Sequence, residues 1–254
     1  MYEQLDQSIQ QLMWDVRSRT LKRMKSAYDV SMKTSYKDLV TTVDKENERF
    51  IDDRLRKINS EARIVSEEGL GDKVTDLKGP VFIVDPIDGT MNFVMQHRNF
   101  AIMIGFYVDG KPVYGYIMDV IEGTLYHGGP NKGVFCNDQR LHAPADNVLH
   151  DSLVVLNSGI TLNGGHNFRE IGLQARGVRM YGSAGIEMIA VITGRVGGYL
   201  SYLHPWDLAA GMAMAKELGL SVKAIDEKEL DVLSSNLVLV ATKQVSRDIS
   251  ELIN

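Results

Sequence analysis

Val81-Phe82-Ile83-Val84-Asp85-Pro86-Ile87-Asp88-Gly89-Thr90-Met91-Asn92-Phe93 is the stretch on which the fold turns. Its first four residues are apolar and mostly β-branched, the length and content of a buried strand, so Asp85 emerges at a strand's C-terminal end. Pro86 has no N–H to give a ladder, and the strand is expected to stop there. Gly89 permits a positive φ. Thr90 to Phe93 then open a helix whose first N–H groups, lacking intrahelical acceptors, point at an anion. Two carboxylates beside free N–H donors suit a hard cation and a phosphate held together. A hairpin is the competing reading, because Asp-Gly between apolar runs is a common turn signal. Two other readings fail on spacing. An EF-hand loop starting at Asp85 needs acids or amides where the chain has Ile87 and Gly89, and a Glu where it has Gln96. An aspartic protease needs Asp-Thr-Gly, and the order here is Asp88-Gly89-Thr90.

At 254 residues, 44% hydrophobic and 24% charged, the chain has the make-up of an ordinary globular protein with ample length for a core. The single Cys136 has no partner for an intramolecular disulfide and lies in a strand-like run, so it is expected to pack rather than react. The N-terminus lacks the basic and apolar regions of a signal peptide, and no apolar stretch approaches the roughly 18 residues of a membrane span. A cytoplasmic location is expected. The net charge of −5 without a long basic cluster argues against a nucleic-acid polymer as partner, and Lys22-Arg23-Met24-Lys25 reads as a solvated helix face.

Leu5, Ile9, Leu12, Met13 and Val16 repeat helically and predict a helix from about residue 3 to the high twenties. A second helix is predicted over 45–58, with Asp44 at its start, where a capping role and a chemical one are both open. Strands are predicted at 62–65, 81–84, 100–108, 113–120, 124–127 and 133–136, with Asp109-Gly110 as a hairpin turn. After about residue 145 strands alternate with helices. Strands are predicted at 153–156, 178–181, 197–202, 220–225 and 237–241, and helices after Asn167, over 183–193, over 205–218 and at the C-terminus. The Gly-rich runs at 163–166 and 194–198 read as turns, and no internal repeat is present. The result is an α/β chain, with a mixed α+β N-terminal half (1–144) and an α/β C-terminal half (145–254).

Two further acidic segments stand where ligands collect. Glu67-Glu68 follow the 62–65 strand, although taken alone adjacent acids also fit a solvated loop. In His204-Pro205-Trp206-Asp207-Leu208-Ala209-Ala210-Gly211, Pro205 suits the first helical position and Asp207 the first turn, where an acid also favours the helix dipole. The small residues Ala209, Ala210 and Gly211 allow close backbone approach. His97, His142, His150 and His204 lack metal-ligand spacing and read as structural.

Together these segments resemble the inositol monophosphatase family, whose signatures are a Glu-Glu pair, Asp-Pro-Ile-Asp-Gly-Thr followed by Asn-Phe, and a late Trp-Asp-x-Ala-Ala-Gly. Asp38-Leu39-Val40-Thr41-Thr42-Val43-Asp44 and Gly182-Ser183-Ala184 are similar to two more of its elements, so the likeness runs almost end to end. The resemblance implies a layered αβαβα sandwich, a homodimer, and lithium-sensitive, Mg²⁺-dependent hydrolysis of a small phosphorylated metabolite. It implies a first metal on Glu67, Asp85 and the Ile87 carbonyl, and a second on Asp85, Asp88 and Asp207. It further implies a metal-bound water near Glu67 and Thr90, with Asp44 accepting the Thr90 proton. Phosphate contacts would come from Asp88, Gly89, Thr90, Ala184 and Asp207, with Glu68 near a third, weaker ion and Lys33 close by. Two or three Mg²⁺ ions would relieve a repulsion of roughly 4 kcal/mol per carboxylate pair at 4 Å and an effective dielectric of about 20. They would also serve a reaction whose enzymatic acceleration reaches about 10²¹.

One position departs from the family. Seven residues before the late Asp, inositol-selective members carry a Glu that bonds ring hydroxyls, and this chain has Leu200. Other substrates known in the family therefore stay open: fructose 1,6-bisphosphate, the 2′-phosphate of NADP and 3′-phosphoadenosine nucleotides. Arg176 and Arg179 read as surface charges rather than second-phosphate contacts. A catalytically weak homologue acting as a binding or regulatory protein is the alternative of another class, though the complete acid set argues against it. A two-carboxylate glycosidase leaves Gly89-Thr90 without a role.

Overall fold

In the computed structural model, which describes residues 2–225 and 230–253, the N-terminal repeat forms α1 (Glu3–Arg23) with Ile9, Leu12, Met13 and Val16 fully buried. It ends short of the high twenties because its ladder tightens: Met24 N–H still reaches Thr20, but Lys25 and Ser26 bond only to Lys22 and Arg23. Arg23 pairs with Glu46 at 2.8 Å, so part of the basic run docks α1 on the next helix instead of facing solvent. A hairpin follows, β1 (Val30–Met32) against β2 (Leu39–Thr41). It has no sequence signature, since all of β1 is exposed. Thr41 caps α2 (Thr42–Ile58).

The chain then builds a seven-stranded sheet in sequence order. Its strands are β3 (Arg63–Ser66), β4 (Pro80–Asp88), β5 (Ala101–Val108), β6 (Lys111–Asp119), β7 (Thr124–Gly129), β8 (Gly133–Cys136) and β9 (Gln139–Leu141). Only β3 and β4 pair in parallel; α3 (Thr90–Gln96) links β4 to β5. The five-stranded second sheet has the order β11-β10-β12-β14-β13, made of β10 (Leu153–Leu156), β11 (Gly177–Arg179), β12 (Gly198–Leu203), β13 (Ser221–Ala224) and β14 (Asn236–Ala241). Its helices are α4 (Ser158–Leu162), α5 (Phe168–Gln174), α6 (Ala184–Ile192), α7 (Pro205–Glu217) and α8 (Lys243–Ile253). Neither α4 nor β9 was predicted: α4 is five residues with no buried position, and β9 is three largely exposed ones.

Alternation along β4 sorts the core into layers. Phe82 and Val84 face α1 and α2; Val81 and Ile83 face α6 and α7, which also contact Tyr199 and Val240 of the second sheet. The far side of that sheet, with Val154, Leu156 and Leu239, is covered by α5 and α8. The layers are thus helix, sheet, helix, sheet, helix, as expected. Among the described residues no helix is long and apolar enough to cross a membrane.

The strand β4 departs from its reading in a consequential way. Pro86 does not end it. Asp85 pairs with Met103 and Asp88 with Ala101, so Pro86 and Ile87 together oppose Ile102 in a bulge. The missing N–H of Pro86 falls where the ladder is already interrupted. In a regular strand residues three apart point to opposite faces. The extra residue restores the parity and turns Asp85 and Asp88 to one side.

Candidate active site

Asp85, Asp88 and Asp207 come from two layers and meet. One carboxylate oxygen from each lies within 4.8 Å of the others, with Asp85 and Asp88 buried and Asp207 half-buried. The bulge in β4 supplies the first two. The third rides on α7, whose start is fixed by a capping box: His204 N–H donates to Asp207 Oδ2 at 2.8 Å. Burial, then the neighbouring acids, drives the carboxyls of Asp85 and Asp207 well above the ordinary range. Asp85 keeps one local hydrogen bond, from Ile87 N–H at 3.1 Å.

Asp88 is better provided. Ser183 Oγ donates to it, as do the N–H groups of Ala184 (2.9 Å) and Gly185 (2.8 Å), so the carboxylate sits on the N-terminus of α6. Two consequences follow. Ser183 joins the site, which its sequence element signalled but its residue type did not. Ala184, expected among the phosphate contacts, gives its N–H to Asp88.

Glu67 lies at the end of β3 and interacts with Asp85; burial, opposed by Lys33, pushes its carboxyl up to about 7. Lys33, carried by the turn of the β1–β2 hairpin, reaches Glu67 at 2.8 Å and also contacts Glu68. Burial alone would lower its pKa, but the two glutamates raise it. Sequence reasoning missed the residue that shapes this turn. Glu48 is fully buried on α2 and accepts the N–H groups of Glu68 and Leu70, both at 2.7 Å. The signal was available, because Glu48 stands one helical turn after Asp44 and shares its face.

Asp44 fills its capping role and also contacts Thr90. At N3 of α2 it closes a capping box with Thr41, accepting the Thr41 N–H at 3.0 Å and its hydroxyl proton. Its other oxygen lies 2.9 Å from Thr90 Oγ1. The Thr90 hydroxyl also lies 3.0 Å from the Ile87 carbonyl. Gly89, at φ 84°, caps the start of α3, and a Cβ there would fall 2.8 Å from the Cβ of Ser183. Asn92 donates to the Asn99 carbonyl just before β5 (2.9 Å) and ties this segment to the second sheet's side through the Tyr181 carbonyl (2.7 Å).

Beside the acids opens a cavity of about 480 Å³ bounded by Asp88, Ser183, Glu187, Tyr199, Ser201 and Asp207. Leu200 is not part of its wall. It is fully buried on the opposite face of β12, against Val154 and Leu239, while its neighbours Tyr199 and Ser201, with Tyr202 and Leu203, line the cavity. Counting back seven from Asp207 lands on the wrong side of the strand. Glu187, also missed, accepts the N–H groups of Tyr181 and Gly182 at 3.0 Å each. Arg176 pairs with Asp151 at 2.6 Å on the surface, as expected of a surface charge.

A frame that brings a Glu-Glu turn, a bulged Asp-Pro-Ile-Asp-Gly-Thr and the first turn of a Trp-Asp helix to one point agrees with comparison to known proteins. The profile of the inositol monophosphatase family matches residues 1–254. The chain belongs to the inositol monophosphatase family. Members of this family are phosphoric monoester hydrolases. The inositol-1-monophosphatase of Bacillus subtilis (strain 168) is 34% identical over 255 residues, covering 98% of this chain and 96% of that one. The crystal structure of SaIMPase-II with inositol monophosphate bound superposes with a TM-score of 0.87 at 33% identity, over 97% of this chain and 92% of that one. An IMPase/NADP phosphatase complexed with Mg²⁺ and phosphate gives a TM-score of 0.91 at 25% identity, over 99% and 95%.

Behind this family site lies a titrating group with no direct contact to the acid cluster. Asp52 is buried, bonds among the described residues only to Ser66 Oγ (3.3 Å), and is pushed up to about 7 by burial and then by Glu48. Its folded pKa exceeds its unfolded one, so the folded state holds the extra proton and stability falls as pH rises from about 4 through about 7. About three pKa units set an upper bound of roughly 4 kcal/mol. Urea denaturation of Asp52→Asn should show a flatter stability profile between pH 5 and 8, with a gain of at least about 1 kcal/mol at the alkaline end. An unchanged slope would refute the assignment.

Proposed function

We propose that the protein hydrolyses a small phosphomonoester, inositol monophosphate or a related compound, by Mg²⁺-dependent in-line attack of water on phosphorus. The observation that carries this is the convergence of Asp85, Asp88 and Asp207 within 4.8 Å. Buried carboxylates that raise one another's pKa form a hard-oxygen donor set short of positive charge, which fits Mg²⁺. In this reading Glu67, Asp85 and the Ile87 carbonyl hold one ion, and Asp85, Asp88 and Asp207 a second. Glu68 stands near a third and Lys33 steadies the glutamates. Bound there, Mg²⁺ supplies countercharge and Lewis acidity to the phosphate.

The remaining work belongs to the chain itself. Asp44, already fixed by its cap, takes the single proton of the Thr90 hydroxyl, which leaves the Thr90 lone pairs to orient a water together with Glu67. Backbone N–H groups of Gly89 and Thr90 face the phosphate. The link between Ala184 and substrate is one of wall contact, since its N–H serves Asp88. The two halves, 1–144 and 145–254, act as one unit because Asp207 comes from the second, and the homodimer implied by the family is checked by light scattering.

The test is phosphate release from inositol 1-phosphate with Mg²⁺, with chelator, and with lithium. Release that depends on Mg²⁺ and falls with lithium is expected; no release across a panel of phosphomonoesters would favour a binding role. Thr90→Val should lower kcat about 10²–10³-fold with little change in KM, whereas Thr90→Ser should retain most activity. Equal loss in both variants would refute the orienting role.

A further inference from the structure

We infer that Glu48 is a positioning residue for the metal site: by holding the turn after β3 it fixes where Glu67 stands, and so sets the affinity of the ion that Glu67 shares with Asp85. The inference rests on the metal reading above. Asp44, Glu48, Asp52 and Arg56 follow one another four residues apart along a single ridge of α2. Asp44 takes the Thr90 hydroxyl at 2.9 Å. The other three hold the loop 66–72. Asp52 meets the Ser66 hydroxyl at 3.3 Å, and Arg56 pairs with Asp72 at 2.9 Å. Between them, fully buried Glu48 uses both of its oxygens, Oε2 on the Glu68 N–H and Oε1 on the Leu70 N–H, each at 2.7 Å. One rigid helix thereby fixes the distance between Thr90 and the Glu67-Glu68 turn.

The backbone around Glu67 has few other restraints. Its own N–H continues the β3–β4 ladder to the Val84 carbonyl at 3.2 Å, and there the chain leaves the sheet. Gly69 turns at φ 80°, with its N–H 3.4 Å from the Ser66 carbonyl, at the long end for a hydrogen bond. On the far side the loop is pressed onto β3, since a Cβ on Gly71 would fall 2.5 Å from the Ile64 carbonyl oxygen. Among the described residues nothing but Glu48 accepts the Glu68 and Leu70 N–H groups. Lys33 grips the side chains of Glu67 and Glu68, but from a hairpin whose first strand is wholly exposed. A buried carboxylate that receives two N–H groups is the stiffer anchor. Loss of a partner that orients a metal ligand lowers metal affinity about 10–100-fold.

Glu217 is the matched comparison. It clamps the β7–β8 turn in the same way, taking the N–H groups of Asn131 (2.7 Å) and Gly133 (3.1 Å), at the opposite end of α7 from Asp207. Glutamine at either position keeps one acceptor and turns an NH₂ toward the second N–H. Both turns loosen, and only one of them carries a metal ligand.

The test follows Mn²⁺ binding to the substrate-free full chain by electron paramagnetic resonance, together with Mg²⁺ activation of phosphate release from inositol 1-phosphate. In Glu48→Gln one class of Mn²⁺ site should weaken at least about tenfold and half-activation by Mg²⁺ should rise alike, with KM for the ester unchanged and kcat at saturating Mg²⁺ within about fivefold of wild type. Glu217→Gln should keep both metal constants within a factor of about two. Glu48→Asp keeps the charge but is one methylene short of spanning both N–H groups; it should behave like Glu48→Gln, and it serves if the glutamine variant does not fold. In the wild type, hydrogen exchange at the Glu68 and Leu70 amides should be slow. Wild-type metal constants in whichever Glu48 variant folds, an equal loss in Glu217→Gln, or freely exchanging amides at 68 and 70 would each overturn the inference and leave the phosphatase reading intact. A wild type that binds Mn²⁺ but releases no phosphate from a panel of phosphomonoesters overturns the phosphatase reading alone, because the binding arm still reads Glu48. No Mn²⁺ binding by the wild type overturns both.

Discussion

Asp85→Asn should abolish Mg²⁺-dependent turnover, by at least about 10³-fold or roughly 4 kcal/mol of transition-state stabilisation, while making the metal-free protein more stable. Both effects have one cause. Asp85 faces Glu67, Asp88 and Asp207 with a single local donor, Ile87 N–H, so its charge is a liability until a cation arrives. An amide of the same shape keeps that hydrogen bond through its oxygen and removes the repulsion, worth about 1 kcal/mol or more for a buried group. The wild type should gain thermal stability on adding Mg²⁺ by mass action, and the variant should not. Asp88→Asn should be as inactive but not as stable. Three donors converge on that carboxylate, and an amide nitrogen in place of one oxygen meets Ser183 Oγ or a backbone N–H with the wrong polarity. Wild-type turnover by Asp85→Asn, or an equal Mg²⁺-induced shift in both proteins, would sink the ligand assignment.

That contrast marks how far the sequence could be read. The side chains of the site were legible because their chemistry is local: an acid at a strand end, a glycine that must take a positive φ, a proline at the first position of a helix. The change of rhythm after residue 145 showed where the alternating second half begins, and the layering came only from the family resemblance. What stayed hidden depends on register. The bulge at Pro86 and Ile87 shows only against Ile102, and without it the two aspartates would point apart. Leu200 and Ser201 exchange roles according to which face of β12 meets the cavity, and a count along the chain does not carry that information. Glu48 and Glu187 were passed over for a different reason. Each serves backbone N–H groups of another segment, and a glutamate facing an unseen loop looks like any helix-surface acid.

The largest stability effect should come from a residue that carries no side chain. Gly105, Gly115 and Gly128 lie side by side across β5, β6 and β7 and make a trough in the sheet. The small residues of α7 press into it: a Cβ on Gly115 would stand 2.0 Å from the Ala210 carbonyl oxygen, and one on Gly105 2.8 Å from the Ala209 Cβ. Tyr107 pins the same turn, its hydroxyl donating to the Ala209 carbonyl at 3.0 Å. Backbone on both sides cannot yield as a side chain would, so Gly115→Ala must lift the helix, at a cost of about 3 kcal/mol or more. For a chain of this size that is a fall in Tm of roughly 6–12 °C. The helix carries Asp207 two residues before Ala209, so whatever protein still folds should also lose turnover, because a misplacement of about 1 Å at a reacting centre costs on the order of 10²-fold. Gly159→Ala, in a short exposed helix with only the Asn157 side chain near, at 3.4 Å, is the control and should be neutral or slightly stabilising. If Gly115→Ala melts with the wild type and keeps its activity, the close seat of α7 is not what places Asp207.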